Sequence, residues 1–187
     1  MKNKIVLASA SPRRRELLSL FIKEFQITPA NVDESFDTSK PIPEEVARIA
    51  ALKADSIYKD NSIVIAADTV VVKDGVVYGK PNGNAIDMLR SLNGATHSVF
   101  TAVSVRSAAT NFDFIDETLV TFNECSEELL HWYISTGEAT DCAGSYAIQG
   151  LGTLLVRQID GDYNNVVGLP ISKLMHKLQE AGLWNIL

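Results

Sequence analysis

A small set of charged and amide residues, spread along the chain, could do chemistry together. The set comprises an arginine run, two lysines, two acidic positions and one glutamine: Arg13–Arg15, Lys53, Lys80, Asp33-Glu34, Asp68 and Gln149. No serine–histidine or cysteine–histidine arrangement stands out as a protein nucleophile. Cations and carboxylates in this combination suit metal-assisted hydrolysis of a phosphate ester or anhydride, with water as the nucleophile.

The arginine run begins a predicted helix. Ile5–Ala8 predicts a short strand before it, Ser11 is a suitable N-cap, and Pro12 suits the first helical position. Helix N-termini favour acidic neighbours, by about 0.3–1 kcal/mol each. Arginines from Arg13 to Arg15 in the first turn therefore indicate a bound anion, held by backbone N–H groups, serine hydroxyls and guanidinium groups. A solvated basic helix start is the alternative.

Asp68 interrupts a buried strand pattern. Ile63–Ala67 is apolar, and Thr69–Val72 continues with strand-forming residues after the aspartate. We expect Asp68 at the tip of the strand that ends at Ala67, and strand ends are where ligands bind in α/β sheets. A buried carboxylate needs a cation or a metal as its partner. An exposed aspartate in a turn is the alternative.

Two lysines stand where a positive charge could reach an anion. Lys53 falls on the apolar stripe of a helix predicted from Pro43, in line with Val46 and Ile57. Its ammonium either follows that face to water or reaches an anion in a cleft. Lys80 lies between a glycine and a proline, where stiff backbone could place its charge on a phosphate. A surface lysine after a turn is equally consistent with that pattern.

Acidic and amide groups complete the set. The pair Asp33-Glu34 lies in a polar loop, and it is either solvated or suited to Mg²⁺ or Mn²⁺, which prefer carboxylate oxygens and water. The segment Gly144–Gly150 has an apolar middle and paired glycines, which indicate an ordered loop. Gln149 in this loop could present both a donor and an acceptor to the edge of a base.

Composition excludes several classes of protein. A chain of 187 residues, 46% hydrophobic and 21% charged, predicts one domain, or one domain with a small lobe, over residues 1–187 with a core of its own. A net charge of −6 argues against binding a nucleic-acid polymer or an anionic membrane. No run approaches a membrane span or a signal-peptide core. Cys125 and Cys142 form neither a disulfide framework nor a zinc spacing, so we expect a cytoplasmic protein with reduced thiols.

The order of elements predicts an α/β protein with a mixed sheet, because strands and helices alternate at first and a long hairpin then intervenes. Strands are predicted at about 4–8, 25–27, 62–67, 69–72, 76–78, 97–106, 112–122 and 153–159. Helices are predicted at about 12–22, from 43 onward, at 85–92, 127–135 and 164–182, the last with a break near Gly168–Pro170.

Taken together, these residues resemble the Maf family of nucleoside triphosphate pyrophosphatases. Matching blocks occur in family order along nearly the whole chain, and the ordered set is specific although each block alone is weak. The blocks are Ser9-Ala10-Ser11-Pro12-Arg13-Arg14, Val32-Asp33-Glu34, Lys53-Ala54, Ala67-Asp68-Thr69-Val70-Val71, Gly79-Lys80-Pro81, His97–Thr101, Ala143–Gly150, Gly161-Asp162-Tyr163 and Asn165–Pro170.

The resemblance implies cleavage between the α- and β-phosphates of a nucleotide with a divalent cation, Mg²⁺, Mn²⁺ or Co²⁺. It implies an elongated mixed sheet flanked by helices, with two lobes around a cleft, as in inosine triphosphate pyrophosphatases. By position, Asp68 would be the general base, and Glu34 would help Asp68 hold the metal. Lys53 and Lys80 would bind phosphates and stabilise developing charge; the phosphate cradle would comprise Ser9, Ser11, Arg13 and Arg14.

The substrate branch follows from two further blocks. Tyr146–Gly150 and Gly161–Tyr163 resemble the branch that acts on dTTP and UTP rather than the one that prefers 7-methyl-GTP. Arg13, Thr69 and Gln149 match the positions associated with that choice. An amide suits pyrimidine carbonyls and the ring N3–H, which need both donor and acceptor partners.

Several alternatives stay open from the sequence. The same reaction could act on another or a modified nucleotide, or the chain could be a nucleotide-binding regulator of septum formation with little turnover. Retention of Asp68, Glu34, Lys53 and Lys80 argues against an inactive protein. Cys142 replaces a lysine that the family usually carries, and its effect is open. The preferred metal is also open, as is the oligomeric state, for which a homodimer is the candidate.

Overall fold

The computed structural model describes residues 4–185, and its central feature is a seven-stranded mixed sheet flanked by helices. The strands lie in the order β2-β1-β3-β5-β6-β7, with β4 paired to β3. The strands are β1 (Lys4–Leu7), β2 (Gln26–Ile27), β3 (Ser62–Lys73), β4 (Val76–Tyr78), β5 (Thr96–Arg106), β6 (Phe112–Phe122) and β7 (Val156–Asp160). The helices are α1 (Pro12–Ser19), α2 (Ile42–Ile57), α3 (Ala85–Leu92), α4 (Glu127–Ser135), α5 (Tyr163–Val167) and α6 (Ile171–Glu180).

The chain divides into two compact units. The first comprises the described residues up to Asp68, together with Thr101–Asp116 and the described residues from Gly168 to Asn185. The second comprises Thr69–Phe100 and Glu117–Val167.

The first unit is organised by parallel pairing of β1 with β3. Lys4 lies opposite Ser62 and Leu7 opposite Ile65, so the apolar start of the chain pairs with an equally apolar strand. Parallel neighbours need a crossover connection, and the segment between β1 and β3 includes α2. A buried cluster joins the two strands to α2 through Val6, Ala8, Ala54, Val64 and Ala66. This packing fixes the position of α2 along the length of β3.

The second unit contains a buried aromatic cluster. The His97 ring makes edge-to-face contacts with Phe122 and Tyr146, at centroid distances of 4.9 and 5.4 Å. Its Nε2 hydrogen-bonds with the Tyr146 hydroxyl at 2.8 Å. In the same unit the buried Asn165 donates to the Val99 carbonyl at 2.9 Å, which ties α5 to β5.

Local signals predicted most of these elements correctly. Ser11 caps α1 by accepting the Arg14 N–H, and the Asp74-Gly75 turn joins β3 to β4 with φ of 51° and 75°. The predicted break near Gly168–Pro170 is confirmed, because α5 and α6 are separate helices. Each of these features depends on a few neighbouring residues.

Four boundaries were predicted wrongly. Pro43 is the second residue of α2, which begins at Ile42, and α1 ends at Ser19 rather than near residue 22. The strand predicted at about 153–159 is present as β7, but it begins later, at Val156, after a short 3₁₀ turn at Gly150–Leu154. The two strands predicted on either side of Asp68 are one continuous strand, β3.

Among residues 4–185, no helix is both long and apolar enough to cross a membrane.

The His97 environment predicts a pH-dependent stability. Burial first, and then the positive charge of Lys73, lowers the pKa of His97 from 6.5 to about 4. The unfolded chain therefore binds more protons than the folded one between these two pH values. The contribution of neutral His97 to the free energy of unfolding should be fully present above pH 6.5. It should be lost as pH decreases towards 4, by about 3 kcal/mol in total.

Denaturant unfolding across this pH range measures the effect. His97→Gln should flatten the pH dependence, whereas His131→Gln, at an exposed histidine, should retain it. Equal pH slopes for the wild type and His97→Gln would contradict the prediction.

Candidate active site

A buried lysine joins two carboxylates within the first unit. Lys53 Nζ donates to Asp68 Oδ1 and to Glu34 Oε2, at 2.7 Å in each case. The Lys53 and Asp68 side chains are 10% and 11% exposed, whereas Glu34 is 52% exposed. The cluster thus combines a buried ion pair with an acidic group that water can reach.

Asp68 lies inside β3 and not at a strand tip, so both the expected tip and the alternative of an exposed turn are wrong. Pairing with β1 covers β3 from Ser62 to Ile65, and pairing with β4 covers it from Val71 to Lys73. Asp68 falls between these registers, beyond the carboxyl end of β1. A strand continues through a charged residue when the residue is paired and its neighbours favour extended backbone.

Helix α2 places Lys53 against this carboxylate. The predicted apolar stripe is confirmed, with Val46, Ile49 and Ala50 buried on the same helix as Lys53. The ammonium does not extend along that face to water, because it ends on Asp68 and Glu34 within the protein. Helical spacing therefore identified the residue, and the packing of α2 decided its partner.

The loop that carries Glu34 is held by a pair that sequence reasoning missed. Buried Glu45 receives the Arg48 guanidinium at 2.8 Å, which lowers the pKa of Glu45. Arg48 Nη2 also donates to the Ser35 carbonyl at 2.8 Å, and Glu45 Oε2 accepts the Asp37 N–H at 3.0 Å. The only sequence signal was an acid and an arginine three residues apart on α2.

At the start of α1, serine and arginine side chains are linked to the backbone before Asp68. Arg14 donates from Nε to the Gly168 carbonyl at 2.8 Å and from Nη1 to the Ala67 carbonyl at 2.9 Å. Ser9 Oγ accepts from Arg14 Nη1 and from the Ser11 N–H, each at 3.2 Å. The arrangement holds the end of β1, the start of α1 and the residue before Asp68 together. Sequence reasoning did not predict this bracing role for Arg14.

The other predicted site residues have different surroundings. Arg13 is half-buried on α1 in the first unit. Thr69, Lys80 and Gln149 belong to the second unit, where the exposed Lys80 forms an ion pair with Asp141. The first unit therefore brings Asp68, Lys53 and Glu34 together, and contact of the second-unit residues with the same substrate stays a prediction.

The donor set is compatible with a metal that the nucleotide helps to bind. Among residues 4–185, no three His, Cys, Asp or Glu side chains are grouped to hold an ion. Mg²⁺, however, is usually bound by one or two carboxylates together with water and substrate phosphates. Asp68 and the exposed Glu34, which share Lys53, supply that number of carboxylates.

The mixed sheet and its buried lysine–carboxylate cluster define an α/β protein with a polar centre of the kind that enzymes use. A family model described as Maf-like protein matches residues 4–181, and the chain belongs to the Maf family. A relative from Thermosipho africanus, named dTTP/UTP pyrophosphatase, is 46% identical over 96% of this chain and 94% of its own length. Proteins of the same name from Bacillus velezensis and Syntrophus aciditrophicus are 43% and 39% identical, over 98% and 97% of this chain and 99% and 92% of their own lengths.

The buried ion pair predicts a large cost for removing its cation. Lys53→Met leaves the Asp68 carboxylate buried without its partner and should destabilise the fold by about 3–5 kcal/mol. Lys73→Met removes a lysine whose partner, Asp74, is 81% exposed, and should cost about 0–1 kcal/mol. Denaturant unfolding compares the two variants.

The double variant Lys53→Met/Asp68→Asn should recover part of the loss, because the neutral amide needs no cation. A Lys53→Met variant as stable as Lys73→Met would show that the pair does not constrain the fold.

Proposed function

We propose that this chain hydrolyses nucleoside triphosphates to the monophosphate and pyrophosphate, with dTTP and UTP as its substrates. The observation that carries the proposal is the Lys53–Asp68–Glu34 cluster, in which a buried cation holds one buried and one accessible carboxylate. Support comes from relatives named dTTP/UTP pyrophosphatase that match this chain over nearly its full length.

Asp68 acts as the general base in this proposal. Its carboxylate takes the proton of the attacking water as the water oxygen bonds to the α-phosphorus, and pyrophosphate leaves with the electrons of the broken α–β bridge. The hydrogen bond from Lys53 restricts the carboxylate to one orientation, which saves the entropy of positioning a base. Lys53 also offers positive charge close to the phosphate oxygens.

Glu34 and Asp68 are the residues that would hold the divalent cation, Mg²⁺, Mn²⁺ or Co²⁺. When bound, such an ion would neutralise phosphate charge and make pyrophosphate a better leaving group. The exposed Glu34 suits this role because a metal bound with its substrate must enter from water.

Phosphate binding is assigned to the start of α1 and to Lys80. Ser9 and Ser11 use their oxygens to accept internal N–H groups, and their hydroxyl protons can be donated to a phosphate oxygen. Arg13 supplies charge in the first turn, where the helix N-terminus also favours an anion. Arg14 contributes by holding this segment in shape through the carbonyls of Ala67 and Gly168, and any direct contact with phosphate stays a prediction.

Recognition of the base is assigned to Thr69 and Gln149. A pyrimidine presents carbonyl acceptors and an N3–H donor, and a glutamine amide can satisfy one of each. An analogue that leaves such a group unpaired in the site binds less well, which gives selectivity between bases.

Product analysis over a nucleotide panel tests the proposal. With Mg²⁺, Mn²⁺ or Co²⁺, dTTP and UTP should each yield one monophosphate and one pyrophosphate, without orthophosphate. Preferential hydrolysis of a modified purine nucleotide would show that dTTP and UTP are not the preferred substrates. Tight nucleotide binding without any product would favour a regulator of septum formation instead.

Asp68→Asn should abolish most turnover, by about 10²–10⁴-fold, because an amide cannot accept the proton of water. Nucleotide binding should persist, since the side chain keeps its size and can still accept a bond from Lys53. Asp116→Asn is the matched control, because Asp116 also pairs with a lysine at 2.7 Å but lies on β6. Pyrophosphate release and equilibrium binding are measured for both; an unchanged kcat in Asp68→Asn removes Asp68 as the base.

Gln149→Glu should lower kcat/KM for dTTP and UTP by about tenfold or more, because the carboxylate cannot donate to a pyrimidine carbonyl and leaves it unpaired. Purine triphosphates should change less. Gln158→Glu, at an exposed position on β7, adds the same charge elsewhere in the second unit. An unchanged ranking of substrates in Gln149→Glu would reject the role of Gln149 in reading the base.

A further inference from the structure

Gln149 depends on its backbone for its orientation. We call Ala147–Gly152 the Gln149 loop. The Gln149 side chain is half-buried, and it has no hydrogen-bonding partner of its own among residues 4–185. The φ and ψ angles of the loop set the direction in which this side chain leaves the backbone, so any group that holds those angles also limits where the amide can lie.

Glu138 holds the C-terminal side of this loop. One carboxylate oxygen, Oε1, accepts the Leu151 N–H at 2.9 Å, and the other, Oε2, accepts the Gly152 N–H at 2.9 Å. Hydrogen bonds from N–H groups to a charged acceptor are stronger than neutral ones. Both oxygens of Glu138 are thus engaged by the two residues that follow Gly150.

Tyr133 holds the N-terminal side. Its hydroxyl oxygen accepts the Ala147 N–H at 3.0 Å, and its side chain is almost fully buried on α4. Burial raises the pKa of Tyr133, and the nearby Glu138 carboxylate acts in the same direction. The side chain therefore stays a neutral phenol, and its oxygen is a constant acceptor for the loop.

Two glycines allow these close approaches. A Cβ at Gly150 would collide with the Glu138 carboxylate, and Gly150 has a φ of 62°. A Cβ at Gly152 would collide with the Ala147 carbonyl and meet the Tyr133 hydroxyl. The loop is shaped around Glu138 and Tyr133, so the contacts are built into its backbone on both sides of Gln149.

We propose that Glu138 and Tyr133 are positioning residues that fix the Gln149 loop and so determine which base the enzyme accepts. The inference rests on the proposed function, in which Gln149 reads the base. Neither residue touches the nucleotide in this account. They act through the Ala147, Leu151 and Gly152 N–H groups, which flank the reading residue.

Glu138→Gln is the sharpest variant, because it keeps the shape of the side chain. The amide has one oxygen and one NH₂ group, so one of the two backbone N–H groups must face a donor instead of an acceptor. We expect the ratio of kcat/KM for UTP to that for ATP to fall by about fivefold or more, mainly through a higher KM for UTP. Products should remain monophosphate and pyrophosphate.

Tyr133→Phe is the second variant, and it removes the hydroxyl that accepts the Ala147 N–H and lies near Glu138. It should lower the same ratio even if Glu138→Gln does not yield folded protein. Glu127→Gln and Tyr78→Phe are the matched controls. Glu127 pairs with Arg90, and the Tyr78 hydroxyl bonds with Ser91 at 2.6 Å, so both engage other partners within the second unit. Both controls should keep the wild-type ratio.

A double-mutant cycle separates positioning from a general structural role. If Glu138 acts through Gln149, Glu138→Gln should cause no further loss of selectivity in a Gln149→Ala background. A loss of the same size in both backgrounds, or a selectivity unchanged by both Glu138→Gln and Tyr133→Phe, would overturn the inference while leaving the proposed function intact. A wild type that hydrolyses UTP and ATP equally well would instead overturn the proposed substrate choice, and the inference with it.

Discussion

The buried pair of Lys53 and Asp68 is the interaction on which the first unit depends. A carboxylate with this little exposure requires a cation. Lys53 can reach Asp68 only if α2 packs at one position along the strands of the sheet. The apolar contacts of Ala54 with the β1–β3 strand pair provide that position. The hydrogen bond of the same pair restrains the Asp68 side chain, so the contact that folding requires also orients the carboxylate that we propose as the general base.

In each unit, charged side chains next to proposed site residues form hydrogen bonds with backbone groups. Arg14 bonds the carbonyl before Asp68, Arg48 bonds the carbonyl of Ser35 beside Glu34, and Glu138 bonds two N–H groups beyond Gln149. Loops lack the regular hydrogen bonds of helices and strands, so their polar groups need other partners. Charged side chains form strong hydrogen bonds with these backbone groups. The residues that we propose to contact substrate are therefore held in place by neighbouring residues that do not contact it.

Patterns confined to a few residues predicted the corresponding parts of the fold well. The cap at Ser11, the turn at Asp74-Gly75 and the break before α6 need only neighbouring side chains and backbone angles. The prediction is wrong at Asp68, where a charge within an apolar run indicates the end of a strand but the strand continues. Whether a strand ends there depends on the partner of the charge, and that partner, Lys53, comes from another element.

By itself, the amino-acid sequence determined the α/β class, the apolar stripe of α2 with Lys53 in it, and the ordered blocks that resemble the Maf family, because each is written in residue types and spacing. Only the tertiary structure decided that Lys53 binds Asp68 and Glu34 at once, that Arg14 braces the strand before Asp68, and that Glu138 and Tyr133 hold the Gln149 loop. The physical reason is that hydrogen bonds and ion pairs form between atoms a few ångströms apart, and the packing of helices on the sheet determines which side chains meet.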